Sequence, residues 1–210
     1  MLRSIFKMNA LLVATATVFT FTACSDNSSG TATETAANEH RAADETAATG
    51  QVVVQTPDYS AVSASVKDQV SEVLDSYLLL KDALVSSDAR AAQTTARSVQ
   101  EAAAHVDLAN FEGEQRQFAE ERLEVIKRST AIIAGASEVG AQRESLEPLS
   151  EAVFALTKAF GASDQTLYYQ HCPMALNNAG GYWVSNESEI RNPYFGESML
   201  KCGSNEEVIN

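Results

Sequence analysis

The chain has 210 residues, of which 28 are Asp or Glu and 15 are Lys or Arg, so its formal net charge is −13. With this excess of acidic residues we do not expect a nucleic-acid-binding protein, because phosphates need clustered lysines and arginines. The excess also argues against electrostatic adhesion to anionic lipid.

The N-terminus has the pattern of a bacterial export signal. Two basic residues supply a positive start, and residues 10–23 form an apolar run that is too short to span a bilayer as a helix. The end of this run, FTAC at residues 21–24, resembles a lipobox, in which the cysteine is acylated and becomes the new N-terminus. We therefore predict a lipoprotein signal peptide over residues 1–23 and lipidation of Cys24.

Two residues near the cleavage point decide how this signal is interpreted. Phe21 stands where a lipobox usually has an aliphatic residue, so a plain secretory signal is the alternative. Ser25 follows the cysteine, where an Asp would favour retention at the inner membrane in enterobacterial sorting. We expect a protein of the bacterial cell envelope that faces the periplasm at the outer membrane and touches the membrane only through its lipid.

Residues 24–57 consist mainly of Ser, Thr, Ala, Asn and Glu. Apart from the Val52-Val53-Val54 patch they have few large apolar side chains, so they cannot bury enough surface to offset the entropy of ordering. We predict a disordered tether that ends at Pro57 and has a root-mean-square reach of about 30 Å. Such a reach would let a globular domain stand off the membrane and meet a partner.

Residues 58–161 carry four apolar stripes with helical spacing. The predicted helices span, in order, about residues 60–86, 88–105, 114–136 and 141–160. Pro148 lies inside the fourth pattern, so that helix either starts late, near Ser145, or is kinked. Four amphipathic helices of similar length with short joints predict an up-and-down four-helix bundle.

Residues 162–210 form a tail in which the helical period is lost. Residues 167–170 and 182–185 predict two short strands, with an Asn- and Gly-rich turn between them. We therefore predict a mainly α fold, a four-helix up-and-down bundle with a small irregular or β tail packed on it as part of the same domain.

The most specific chemistry of the chain lies in this tail. Its soft or borderline donor residues are His171, Cys172, Met174, Met199 and Cys202. Thiolate and thioether groups suit Cu(I) and similar ions, so the two cysteines and two methionines predict a soft-metal site with His171 at its edge.

The same two cysteines could instead form a disulfide, because the expected compartment is oxidising. A bridge between Cys172 and Cys202 would close a loop of 30 residues and stabilise the fold by roughly 3.5 kcal/mol in the chain-entropy model. Both alternatives require the two cysteines to lie close together. A site that alternates between the two states is a third option.

Four spaced motifs of the tail resemble a bacterial periplasmic domain of unknown function. They are CPMA at 172–175, GGYWVS at 180–185, IRNPYFG at 190–196 and MLKCG at 199–203. Members of this family occur alone in small lipoproteins and fused to adaptor (membrane-fusion) subunits of copper and silver efflux pumps. The resemblance covers about residues 77–209 and implies metal handling, with an efflux adaptor subunit as the expected protein partner.

No Ser-His-Asp order, phosphate-binding loop, HExxH or CxxC stands out, so we do not expect an enzyme. We expect a periplasm-facing lipoprotein that binds Cu(I) or Ag(I) for buffering or for delivery to an efflux system. The alternative is a non-catalytic interaction module of the envelope in which a disulfide between Cys172 and Cys202 is purely structural.

Overall fold

The computed structural model describes residues 53–210, so the predicted signal peptide, Cys24 and most of the predicted tether lie outside the described residues. The helices are α1 (Ala64–Val85), α2 (Ala89–His105), α3 (Gly113–Gly135), α4 (Val139–Arg143) and α5 (Leu146–Phe160). The strands that follow are β1 (Leu167–Cys172), β2 (Gly181–Ser185) and β3 (Ser204–Ile209). A mainly α fold with a small β tail was predicted, and it is confirmed.

The four long helices form a ring around one apolar core. Helix α1 packs on α2, α2 on α3, α3 on α5, and α5 on α1. This neighbour order is the one that an up-and-down bundle requires. The predicted stripe of α1 is confirmed, since its central residues Val66, Val70, Val73, Leu74 and Tyr77 are all buried. Among the helices of residues 53–210, none combines the length and apolarity needed to cross a bilayer.

Local sequence signals set the helix ends. The Asp88 carboxylate caps α2 by accepting the backbone N–H groups of Arg90 and Ala91 at 3.0 and 2.9 Å. Gly161 ends α5 with φ = 56°, a left-handed conformation that glycine adopts without a steric penalty.

The predicted fourth helix is two helices in the structure. Residues 139–143 form the separate short helix α4, and α5 starts at Leu146, directly after Ser145. Pro148 is the third residue of α5, where the missing N–H would have no intrahelical partner in any case. The late start near Ser145 is therefore confirmed, and the kink is not needed.

The tail is more regular than predicted. Strand β1 is central in a three-stranded antiparallel sheet of order β2-β1-β3, and β2 packs on α5 and α1. Strand β3 was not predicted, because its sequence SNEEVI is polar and charged and lacks the alternation of a half-buried strand. Polar edge strands of this kind avoid pairing with other chains.

Candidate functional site

The sulfur atoms of Cys172 and Cys202 lie 3.3 Å apart, and both residues are free thiols. We call these two residues the thiol pair. Cys172 ends the central strand β1 and is fully buried, whereas Cys202 is half-buried in the loop before β3. The tail therefore brings together two thiols that are 30 positions apart in the chain.

A buried asparagine holds the loop that carries Cys202. The side-chain amide of Asn192 donates to the Cys202 carbonyl at 2.8 Å, and its backbone N–H donates to the Leu200 carbonyl at 2.8 Å. Its side-chain oxygen accepts the N–H of Tyr194 at 2.8 Å. The sequence indicated only that Asn192 and Pro193 start a turn, since an Asn-Pro pair does not reveal which loop the asparagine binds.

A glycine lets this loop approach β1 closely. Gly203 has φ = 148°, and a Cβ atom at this position would lie 2.7 Å from the His171 carbonyl oxygen and 2.9 Å from Cη2 of Trp183. No real Cβ tolerates such distances, so a side chain here would push the loop, and with it Cys202, away from Cys172.

The sulfur separation lies between those of a disulfide and of a metal-bridged pair. A disulfide needs about 2.05 Å. Two thiolates bound to one ion at about 2.3 Å each lie about 3.8 Å apart at a tetrahedral angle and about 4.6 Å apart when collinear. The observed 3.3 Å therefore allows either state after a movement of about 0.5 to 1.3 Å.

The half-buried thiol is held in its protonated form. A hydrogen bond to Cys172 is the largest cause that raises the pKa of Cys202, followed by burial and by the charge of Cys172. The thiolate is the nucleophile of thiol chemistry, so a raised pKa makes Cys202 a weak attacking group. Cys202 is therefore unlike the low-pKa attacking cysteines of disulfide oxidoreductases.

Met174 and Met199 line one open groove of about 540 Å³, together with Tyr194, Phe195 and Arg143. We call it the methionine groove. Met174 is 47% exposed, and Met199 is half-buried. The thiol pair is not part of the lining, although each methionine lies two or three residues from one of its cysteines.

One wall of the groove has a rare backbone conformation. Leu176, Asn177 and Asn178 have φ values of 51°, 60° and 67°, so three consecutive non-glycine residues are left-handed. Asparagine visits this region readily, whereas for leucine it carries a cost of order 1 kcal/mol or more. The chain thus keeps a strained turn directly after the CPMA motif.

The structure places His171 apart from the thiol pair. Because side chains alternate along a strand, the His171 ring lies on the opposite face of the sheet from Cys172. It stacks on Tyr182 with ring centroids 4.2 Å apart, and burial lowers its pKa, an effect that Glu206 opposes. Within residues 53–210 no group of three or more His, Cys, Asp or Glu side chains could hold a metal ion.

Residues 73–165 match the sequence model of a family described as "Protein of unknown function (DUF3347)". The matched segment begins within α1 and ends two residues before β1, so it covers most of the helical bundle and stops before the sheet and the thiol pair. This part of the chain is thus a domain of unknown function. The curated proteins and the solved structures contain no match to the chain.

Proposed function

We propose that this protein is a periplasm-facing lipoprotein that binds one soft metal ion, Cu(I) or Ag(I), through the thiolates of Cys172 and Cys202. The contact of their sulfur atoms at 3.3 Å carries the proposal, because a movement of about 0.5 to 1.3 Å brings two thiolates to the spacing of a metal-bridged pair. Thiolates suit soft ions of low coordination number. The ion would be buffered, or delivered to an efflux system.

The methionine groove supports this assignment. Thioethers are soft ligands, and the exposed Met174 and half-buried Met199, each two or three residues from a cysteine, offer a route by which an ion could enter or leave the pair. Because both thiols must lose a proton to bind the ion, the raised pKa of Cys202 makes uptake stronger at higher pH. His171 is not a ligand in this proposal, since it lies on the other face of the sheet.

The test is an anaerobic titration of the reduced protein with Cu(I) against a competing chelator. We expect one tightly held ion per chain, and loss of that ion in a Cys172→Ser, Cys202→Ser double variant. A Met174→Leu, Met199→Leu variant should still bind the ion but exchange it with the chelator more slowly. His171→Asn is the control and should match the native protein. Equal uptake by the native and the double-serine proteins would refute the proposal.

The anchoring part of the proposal depends on Cys24. Cells fed a labelled fatty acid should attach it to the native protein, and the protein should sediment with the membrane fraction. Both properties should be lost in a Cys24→Ala variant, which would be released into the periplasm. Labelling of the alanine variant would contradict lipidation at this residue.

A second candidate function is a non-catalytic interaction module in which the thiol pair is oxidised to a structural disulfide. The complete burial of Cys172 favours it, since a bridge that water reaches poorly is hard to reduce. Alkylation of the protein as it is taken from the periplasm, followed by thiol counting, separates the two functions. Two free thiols besides Cys24 favour the metal site, whereas none favours the bridge.

A further inference from the structure

A second cavity lies on the opposite face of the sheet from the thiol pair. It has a volume of about 330 Å³ and is lined by Val54, Gln55, Glu147, Glu151, Tyr169 and Tyr182. We call it the acidic cavity. It shares no lining residue with the methionine groove, so it requires an explanation independent of the metal site.

Two carboxylates of α5 give the cavity its charge. Glu147 and Glu151 are one helical turn apart, and a like-charged pair at this spacing destabilises a helix. Burial raises the pKa of Glu147, and Glu151 raises it further. Neither carboxylate forms an ion pair with any other described residue. Glu147 is half-buried and Glu151 is exposed, so the fold places two unpaired carboxylates at the edge of this cavity.

A buried tyrosine lines this space without a hydrogen-bond partner. Tyr169 is only 3% exposed, and its hydroxyl makes no hydrogen bond to another described residue. Burial raises the pKa of Tyr169 and the nearby carboxylates of Glu151 and Glu147 raise it further, so the phenol oxygen lies within their field. The Tyr169 hydroxyl therefore opens into the cavity, where it can donate a hydrogen bond to a ligand or accept one from it.

The aromatic rings restrict the kind of ligand. The Tyr169 ring stacks between Phe154, at 4.6 Å, and Tyr182, at 5.0 Å, and the other face of Tyr182 meets His171. Since their faces are covered, these rings cannot present a π surface to a cation. They offer hydroxyl groups and ring edges instead, so recognition must depend on N–H donors and charge.

We propose that the acidic cavity binds an organic cation that carries N–H donors, an alkylammonium or guanidinium group. The two carboxylates accept its hydrogen bonds and balance its charge, and the Tyr169 hydroxyl provides a further polar contact. The cavity volume accommodates such a head group with a short alkyl chain. Val54 and Gln55, from the extended segment before α1, form one wall of the site.

The test is a titration of the purified protein followed by the amide resonances of the lining residues. Butylammonium, methylguanidinium and 1,4-diaminobutane should each bind saturably at one site. Tetramethylammonium has about the same charge as butylammonium but no N–H group, and Ca²⁺ prefers a cage of about six to eight oxygen ligands. Both should therefore bind at least about tenfold more weakly than butylammonium. A capped peptide with one central lysine distinguishes a protein side chain from a free amine as the source of the ammonium.

Matched variants distinguish binding of butylammonium in this cavity from the general attraction of a cation to an acidic protein. Glu147→Gln, Glu151→Gln should weaken butylammonium binding by about tenfold or more, and Tyr169→Phe by about two- to tenfold. Glu120→Gln, Glu124→Gln removes the same charge from exposed positions of α3 outside the cavity and should leave binding unchanged. The Cys172→Ser, Cys202→Ser protein should bind butylammonium as the native protein does, whether or not the native protein binds Cu(I).

Three results would overturn the proposal. The first is that neither the ammonium and guanidinium probes nor the peptide binds saturably. The second is that tetramethylammonium binds as tightly as butylammonium. The third is that the α3 control variant loses as much butylammonium affinity as Glu147→Gln, Glu151→Gln. Circular dichroism of the glutamine variants excludes misfolding, and we expect them to be at least as stable as the native protein because the like-charge repulsion is removed.

Discussion

The hydroxyl groups of Tyr77 on α1 and Ser150 on α5 lie 2.7 Å apart in the buried core. Ser150 donates its own proton to the Leu146 carbonyl at 2.8 Å, so the Tyr77 hydroxyl donates to Ser150. The Tyr77 oxygen in turn accepts the backbone N–H of Val184 in β2 at 3.0 Å. One hydrogen-bonded chain therefore connects two helices of the bundle to the sheet that carries Cys172.

We predict that Tyr77→Phe lowers the free energy of unfolding by about 1–3 kcal/mol, because the buried N–H of Val184 is left without an acceptor. The same contacts explain why burial raises the pKa of Tyr77 to about 12 although both hydrogen bonds oppose the shift. Urea denaturation measures the change. Tyr59→Phe is the control, since Tyr59 is half-buried and its hydroxyl binds no other described residue. Equal losses in the two variants would contradict the role of the hydrogen-bonded chain.

Arg143 of α4 ties the methionine groove to the turn between α1 and α2. Its Nε donates to the Pro193 carbonyl at 2.6 Å, and its Nη2 donates to the Leu84 carbonyl and to Ser87 Oγ, each at 2.9 Å. A lysine ammonium cannot reach these acceptors together, because they match the fork of a guanidinium. Arg143→Lys should therefore cost about 2 kcal/mol of unfolding free energy.

Chemical denaturation, with the fluorescence of the buried Trp183 as the signal, checks the Arg143 prediction. The exposed Arg128 of α3 provides the matched control, and Arg128→Lys should change stability by less than about 0.5 kcal/mol. If Arg143→Lys is as stable as this control, the three hydrogen bonds do not hold the groove wall.

The extended segment before α1 is fixed by an ion pair between α5 and β3. The backbone N–H of Val54 donates to the Glu207 carboxylate at 2.8 Å, and the Lys158 ammonium donates to the Val54 carbonyl at 2.7 Å. Lys158 also pairs directly with Glu207, which is 7% exposed. Lys158→Met should cost about 2–4 kcal/mol, because it leaves a buried carboxylate without its cation.

Hydrogen exchange at the Val54 amide gives a local measurement of this change, and the exchange should be much faster in Lys158→Met than in the native protein. Lys201 and Glu189 form an exposed ion pair at 3.2 Å, which serves as the control. Lys201→Met should change stability by no more than about 1 kcal/mol, since exposed ion pairs contribute little. Unchanged exchange at Val54 in Lys158→Met would contradict the prediction.

The helices were predictable because their signals are local. The stripe of α1 repeats every three or four residues, Asp88 marks the start of α2, and Gly161 marks the end of α5. Each signal depends on side chains within a few positions of one another. The division of the fourth helix was foreseen only in part, since Pro148 indicates a boundary but not a separate helix before it.

The contacts that build the tail were not predictable, because they join distant residues. Val54 and Glu207 are 153 positions apart, and a short valine run gives no indication of that partner. Strand β3 is polar, and its pairing with β1 is visible only in three dimensions. The sequence places β1 at residues 167–170, two residues short of its end at Cys172. The predicted strand therefore stopped before His171 and Cys172, and the sequence did not indicate that these two side chains lie on opposite faces of the sheet.

The pH dependence of stability provides a last prediction, for His171. Burial lowers its pKa below the ordinary value of 6.5, so the unfolded chain takes up the proton at a higher pH than the folded protein does. The contribution of His171 to stability is therefore present above pH 6.5 and is lost as the pH falls through the lower folded-state pKa.

His171→Phe keeps an aromatic ring against Tyr182 but does not titrate, so its unfolding free energy should fall less between about pH 7.5 and 5.5 than that of the native protein. Glu206→Gln is the opposing variant. Because Glu206 raises the pKa of His171, its removal should lower that pKa further and make the loss of stability on acidification larger. Urea denaturation at both pH values measures these differences, and an NMR titration of the imidazole locates the pKa directly. A native His171 that titrates at or above 6.5 would show that burial does not control this residue.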